Sequence, residues 1–409
     1  MGEIILKENF LKDYVLLILR INKLFKKEGS YYIDAYIGSD SLKTKVKNED
    51  HFKFQRLIED ANRLLNNLDD IELEDNRKTF MKKHLLAFKS ILKLLNNDVI
   101  NLKQQVKNIL DVDLEWTDEK EFENGLKLFD NGLPGNGDLN SRYYDWLQRN
   151  TYSFKNDKLM LGFIDSLIKS IRNFSKDIVD MPKEDEVIID LVSDKNYGAS
   201  TRYVGNYKSK LNINKDIPFN FFQAIPLIAH ELYPGHHTEF CMKEKYLVKE
   251  KGYFESTVFL LYSPQLVISE GIGEVAFDMI FSDDYFLSYL TNNIYKKYNI
   301  KVDDVNIKSI LKASRINSID QIANNVVMMF EDGRAENEIK NYVRKYTLQP
   351  DFMTEHLLSN IKSSQFNKIY ATIYYHGKKL VQDYLYEGDQ KRKFNELLKK
   401  QCYPTMLKK

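Results

Sequence analysis

Glycine and proline are scarce in this chain, 17 and 8 among 409 residues, and that scarcity most constrains its fold. Tight turns lean on these two residues, so long uninterrupted helices are the expectation. Apolar positions repeat at helical spacing over 5–27 (Leu11, Tyr14, Val15, Ile18, Leu19) and over 51–68. Over 75–112, Phe80, Leu85, Phe88, Ile91, Leu92, Leu95 and Ile100 form one stripe. Such stripes are the buried faces of a helix bundle. The glycine-rich stretch 131–137 reads as a loop, after which Asp138 caps a helix carrying Tyr143, Tyr144 and Trp146. Another helix is predicted over about 157–177.

At Met181-Pro182-Lys183 the pattern breaks and the period changes to two. Glu186 to Val192 and Arg202 to Ile213 read as strands joined by a turn-rich segment, Ser193 to Ser200. Asn220 is placed to cap a helix, and from 253 onward the chain reads as helical again. The expected fold class is therefore mostly α (α+β), with a small antiparallel ribbon before one central helix. Two regions are expected, 1–180 and 181–409, forming one two-lobed unit.

Lys+Arg (60) nearly cancels Asp+Glu (59), so no global charge draws the chain to nucleic acid or a membrane. There is no signal peptide in the first thirty residues, no run of the roughly 20 apolar residues that span a bilayer, no P-loop and no dinucleotide turn. Two cysteines, Cys241 and Cys402, cannot build a disulfide framework, which suits a reducing, cytoplasmic setting.

Chemistry concentrates in one segment. Three of the seven histidines lie within His230-Glu231-Leu232-Tyr233-Pro234-Gly235-His236-His237, directly after the apolar run Phe221 to Ala229. Zinc takes imidazole and carboxylate ligands, and a catalytic site has three of them. In the HExxH pattern two histidines four apart share a helix face, with the intervening Glu as base. Here the fourth position on is Pro234, which has no N–H for the carbonyl of His230, so the helix must kink or bulge. A bulge of two residues at Gly235 would bring His236 to the second ligand position, with His237 the alternative. Glu270, in an apolar stretch after Pro264, is the candidate third ligand, because a carboxylate there needs a reason to be buried. One turn on, Glu274 could accept the outer N–H of a ligand histidine. Of the other four histidines, His51, His84 and His356 read as structural or exposed, and Arg334 as part of a solvated helix face.

The segment 230–239, His-Glu-x-x-Pro-Gly-His-His-Thr-Glu, resembles the signature of a bacterial and archaeal family known as domain of unknown function 885, grouped with the gluzincin metallopeptidases. The strand ending Leu211-Asn212-Ile213-Asn214, the run from Pro264 to Glu270-Gly271, Tyr374-Tyr375-His376-Gly377, and the stretch Leu397 to Pro404 are also similar to that family's motifs. The likeness is strong over about 197–285, looser over 325–405, and absent from the first 180 residues. It departs at Ile272, where the family often has an aromatic, and at Glu274, where related gluzincins often place Asp. The resemblance implies a mostly helical gluzincin-like fold, one zinc ion on His230, His236 and Glu270, and Glu231 as general base. A tyrosine of the late motif would stabilise the oxyanion: Tyr374 is the first choice, Tyr375 and His376 the alternatives. Arg202 and Tyr203 would line a cleft edge. The expected activity is hydrolysis of small or unfolded peptides. The competing expectations are a non-catalytic metal- or peptide-binding module and a hydrolase of non-peptide amides.

Overall fold

The computed structural model describes residues 2–50, 53–152, 154–195, 198–217, 219–281, 284–300 and 306–408. His51, one of the histidines considered above, lies outside the described residues. Helices dominate, as the shortage of turn residues requires. Helix Gly2–Lys27 buries Leu11, Tyr14, Val15, Ile18 and Leu19 along one face. The stripe over 75–112 proves to be two helices, Asp75–Leu95 and Leu102–Leu110. Asn97 breaks it in the left-handed region, at φ 61°, and Asn101 starts the second helix by accepting from the N–H of Gln104 at 2.8 Å. Side chains on both sides of that turn enter one core, so the apolar period runs across it without a visible gap. Asp138 and Asn156 cap helices Leu139–Arg149 and Asp157–Ser175 as their residue types suggest.

Seven short strands are described: β1 (Ile33–Tyr36), β2 (Thr151–Tyr152), β3 (Glu186–Val192), β4 (Ala199–Gly205), β5 (Lys208–Asn214), β6 (Phe219–Asn220) and β7 (Val258–Leu260). The ribbon before the central helix is a three-stranded sheet in the order β3-β5-β4, with β3 parallel and β4 antiparallel to β5. The stretch 202–213, expected as one strand, is a hairpin. Asn206 and Tyr207 both take positive φ, 54° and 61°, the two-residue reversal that matches strand twist. β1 and the helix after it, Asp40–Asn48, were not foreseen. β1 pairs antiparallel with β7, which lies where only helix was expected. Runs of four and three residues are too short to show a period.

Two large apolar cores form among the described residues, with a smaller third of Ala35, Tyr203, Phe240, Cys241 and Phe259. The first joins the helices of 2–110 to residues of 258–267 and 322–373; the second joins 129–179 to residues of 211–313 and 381–402. Both draw on residues before and after 180. Helix Pro264–Ile280 serves both, giving Leu266 and Val267 to one and Ile268, Ile272, Val275 and Ala276 to the other. A buried ion pair joins helix Asp75–Leu95 to the segment before β7: Arg77 Nε and Nη2 donate to Glu255 at 2.5 and 2.7 Å, and Gln401 also donates to Glu255. Among the described residues no helix is long and apolar enough to cross a membrane.

His84 and His376 are buried in these interiors, and burial pushes each pKa down to about 4. Each therefore stays neutral when folded but takes a proton near pH 6.5 when unfolded. Their contribution is intact above pH 6.5 and is lost as pH falls toward 4. At pH 5 each histidine should cost about 2 kcal/mol. In urea titrations His84→Leu should lose about 2 kcal/mol less than wild type between pH 7.5 and 5; an equal loss in both would refute the assignment.

Candidate metal centre

Asn220 starts helix Phe221–Glu231 by accepting from the N–H groups of Phe222 and Gln223, each at 3.1 Å. The helix stops at Glu231. Pro234 has nothing to donate, and the chain turns through Leu232 at φ −123°, ψ −79°. The expected bulge is instead a clean break: a new helix, His236–Lys243, begins after four intervening residues. Gly235 N–H closes the turn onto the carbonyl of Ala229 at 3.0 Å, and Thr238 caps Leu232 O through both its N–H and its hydroxyl at 3.1 Å. A Cβ on Gly235 would lie 1.9 Å from His230 O, so no other residue fits. The break turns His236 back toward His230, and their Nε2 atoms stand 3.1 Å apart.

Helix Pro264–Ile280 brings the carboxylate. Glu270 Oε2 lies 3.3 Å from His230 Nε2 and 3.6 Å from His236 Nε2. It is buried yet makes no hydrogen bond. All three ligand atoms fall within 4.8 Å of one another. Zinc bonds of 2.0–2.1 Å at tetrahedral angles require ligand atoms roughly 3.3 Å apart. The separations of 3.1, 3.3 and 3.6 Å fit that cage. The side chains of His230 and His236 keep 17% and 13% of their surface, which leaves one corner open to solvent. Burial pulls both imidazole pKa values down, but the facing carboxylates outweigh it and the net direction is up. Burial pushes Glu270 up, and the two imidazoles overturn this and hold it well below the usual range. The cluster thus stabilises positive charge at its centre.

Supporting groups surround it. Glu274 Oε1 stands 3.6 Å from His230 Nδ1, as expected, and Gln321 donates to its other oxygen at 3.0 Å. Glu239, unassigned from the sequence although it belongs to the motif, reaches within 3.9 Å of His236 Nδ1. The Ser269 hydroxyl and the Lys243 ammonium both donate to Glu239. Gly273 makes room for the imidazole: a Cβ there would lie 2.8 Å from His230 Cε1. Of the late motif, only Tyr374 faces the centre. Its hydroxyl donates to that of Tyr370 at 3.4 Å, and Tyr370 donates to Glu270 Oε1 at 3.3 Å. Tyr375 instead lines a surface pocket with Glu121 and Lys379, and His376 is buried away from the site. Tyr370, one helical turn before Tyr374, was missed.

His237 takes no part. Its Nδ1 meets the Ser209 hydroxyl at 2.8 Å and its Nε2 lies 3.7 Å from Asp185. Tyr233 and Arg172 both donate to Asp185. Serine, histidine and carboxylate here imitate a nucleophilic triad, but His237 and Ser209 have no exposed surface, so the set braces the helix against β5. Two further carboxylates reach the cleft unforeseen, Asp34 of β1 and Asp320. Both residues are exposed, and partial desolvation by the surrounding protein pushes each up to about 6. His236, Glu270, Glu231 and Arg202 all act on Asp34; Glu274, His230 and Glu270 act on Asp320. Arg202 is exposed on β4, as a cleft edge requires, whereas the Tyr203 hydroxyl is buried against Glu244. Arg334 pairs with Glu338 on an exposed helix face, and His356 is exposed.

No family model and no curated protein matches this chain. It is similar to the solved structure of "a putative lipoprotein of unknown function" from Shewanella oneidensis, at 13% identity and a TM-score of 0.50. The likeness covers 87% of this chain and 71% of that one, and it shows a shared fold alone.

His236→Ala and Glu270→Gln should each remove bound zinc in elemental analysis after dialysis. His237→Ala should keep the zinc while losing about 2 kcal/mol of stability, because it strands buried partners. Zinc lost from His237→Ala and kept in His236→Ala would reverse the ligand assignment.

Proposed function

We propose that this chain is a zinc-dependent peptidase acting on small or unfolded peptides, related to the domain of unknown function 885 and the gluzincins. The observation that carries the reading is the tetrahedral spacing of His230, His236 and Glu270 around a buried carboxylate oxygen with no partner, beside Glu231. When bound there, zinc supplies a Lewis acid that polarises a carbonyl and acidifies water. Glu231 follows directly on His230 and is half-buried. It accepts the proton of the attacking water and returns it to the leaving amine.

Glu231 also lines a largely apolar pocket of about 140 Å³, with Leu211, Ile213, Ala224, Leu227 and Ile228 among its other walls. That is near the ~150 Å³ that admits a benzene ring. One aliphatic or aromatic side chain of a substrate fits it. Burial raises the pKa of both Tyr370 and Tyr374, so both stay protonated donors. Tyr370 is committed to Glu270, whereas the Tyr374 O–H meets only the Tyr370 oxygen, at a long 3.4 Å, and would turn from it to donate to the developing oxyanion. Cys241 and Cys402 are buried free thiols, which suits a cytoplasmic setting.

The test is Glu231→Gln assayed on a peptide library. Turnover should fall by roughly 10²–10⁴ with zinc content unchanged. Undiminished cleavage by this variant would remove the mechanism, and full zinc with no wild-type turnover on peptides would favour a binding module. Tyr374→Phe should lower kcat by about 10²-fold and leave KM nearly unaltered.

A further inference from the structure

A groove of about 580 Å³ runs between β1, β4 and the helices Gly2–Lys27 and Asp40–Asn48. Its walls carry Lys23, Lys26, Lys43, Lys47 and Arg202 against a single carboxylate, Asp34. In a chain whose charges otherwise cancel, a ratio of five to one is a local field. Lys23 is committed, donating to the carbonyls of Val46 and Lys47 at the end of the second helix. The other four cations face solvent. Among the described residues Lys26, Lys47 and Arg202 have no carboxylate within ion-pair distance. Lys43 meets only Asp40, at 3.7 Å and 94% exposed, a pairing worth little.

Two of the ammonium groups are held rather than loose. Lys43 Nζ sits 4.4 Å from the ring centre of Tyr36, and Lys26 Nζ 5.9 Å from that of Tyr31. Among the described residues β4 is the edge strand of its sheet, and Arg202 projects exposed from it. Asp34 lines the groove, and so does Tyr203, whose ring centre lies 5.2 Å from that of Phe240; the Phe240 ring in turn lies 6.4 Å from that of His236, so the groove lies beside the centre.

We infer that this groove binds an acidic segment of a peptide substrate, with Arg202, Lys43 and Lys47 receiving carboxylates several residues from the bond that is cut. The inference rests on the peptidase reading and names its substrate class. Polarity changes sharply along the path. Close to the centre Asp34, Glu231, Glu274 and Asp320 crowd the cleft and repel an acidic residue. Farther out the cations attract one. The preference is thus positional: acid at a distance, neutral or apolar beside the scissile bond.

The test uses the full chain carrying Glu231→Gln, so that binding is read without turnover, and fluorescein-labelled decapeptides scanned with Glu or Gln. Fluorescence anisotropy should show a peptide with three distal Glu binding about tenfold tighter than its Gln counterpart at about 50 mM salt, the gain shrinking at about 300 mM. Lys43→Glu/Lys47→Glu should erase the gain and leave the Gln peptide unchanged; both lysines are exposed, and a thermal melt verifies the fold. Arg202→Gln should reduce the gain several-fold. Equal binding of Glu and Gln peptides, or an undiminished preference in the double variant, would overturn the inference. So would dependence on a free C-terminal carboxylate alone, shown by loss on amidation. Hydrolysis that fails while the Glu preference persists defeats only the peptidase reading; hydrolysis without that preference defeats only the groove.

Discussion

Two backbones meet where helix Pro264–Ile280 crosses helix Ile373–Tyr386, and the rest of the site hangs from that contact. A Cβ on Gly271 would fall 2.3 Å from the carbonyl oxygen of Gly377, and one on Gly377 would fall 2.3 Å from that of Val267. Only a pair of glycines allows this approach. It brings Tyr374 to the same side as Glu270. Gly273, two residues on, gives the His230 imidazole its seat. Glycine in a helix interior is unfavourable by roughly 0.5–1 kcal/mol against alanine, so burial of nearly every side chain from Pro264 to Gly273 has to offset it.

Charge is managed just as tightly. Glu239 and Lys243 are each 1% exposed and adjacent, and neither would be stable there without the other. Their pair holds Ser269 and the outer face of His236. Glu274 and Gln321 do the same for His230. Each imidazole therefore has a carboxylate near its Nδ1, at 3.6 Å for His230 and 3.9 Å for His236, on the side away from Glu270. The inner side gathers Glu270 with Glu231, Asp34 and Asp320 nearby. So many acids in one cleft repel one another unless positive charge lies among them. A divalent cation held by His230, His236 and Glu270, as proposed above, would relieve that repulsion.

The cluster at 230–239 and the buried Glu270 were legible because each breaks a local rule. Histidines crowd one segment, a proline stands where a helix should continue, and a carboxylate interrupts an apolar run. Long helical stripes were legible for the opposite reason, since period is local and repeats. The helix break at Asn97 was not, because its apolar positions stay in phase across the turn. β1 and β7 were invisible at four and three residues. Asp34 and Asp320 carried no signal either, since a lone aspartate looks the same at the surface and in a cleft.

Local chemistry in the chain thus determined which residues could bind a cation and which helices would form. It also determined that Gly235 must sit at the break, although the reason is steric, a carbonyl 1.9 Å from any Cβ, and not a special φ. Tertiary structure alone decided between His236 and His237. The two are adjacent and chemically identical, and successive helical residues point about 100° apart. One imidazole faces Glu270 and the other Asp185, and only the packing of distant segments put those carboxylates where they are.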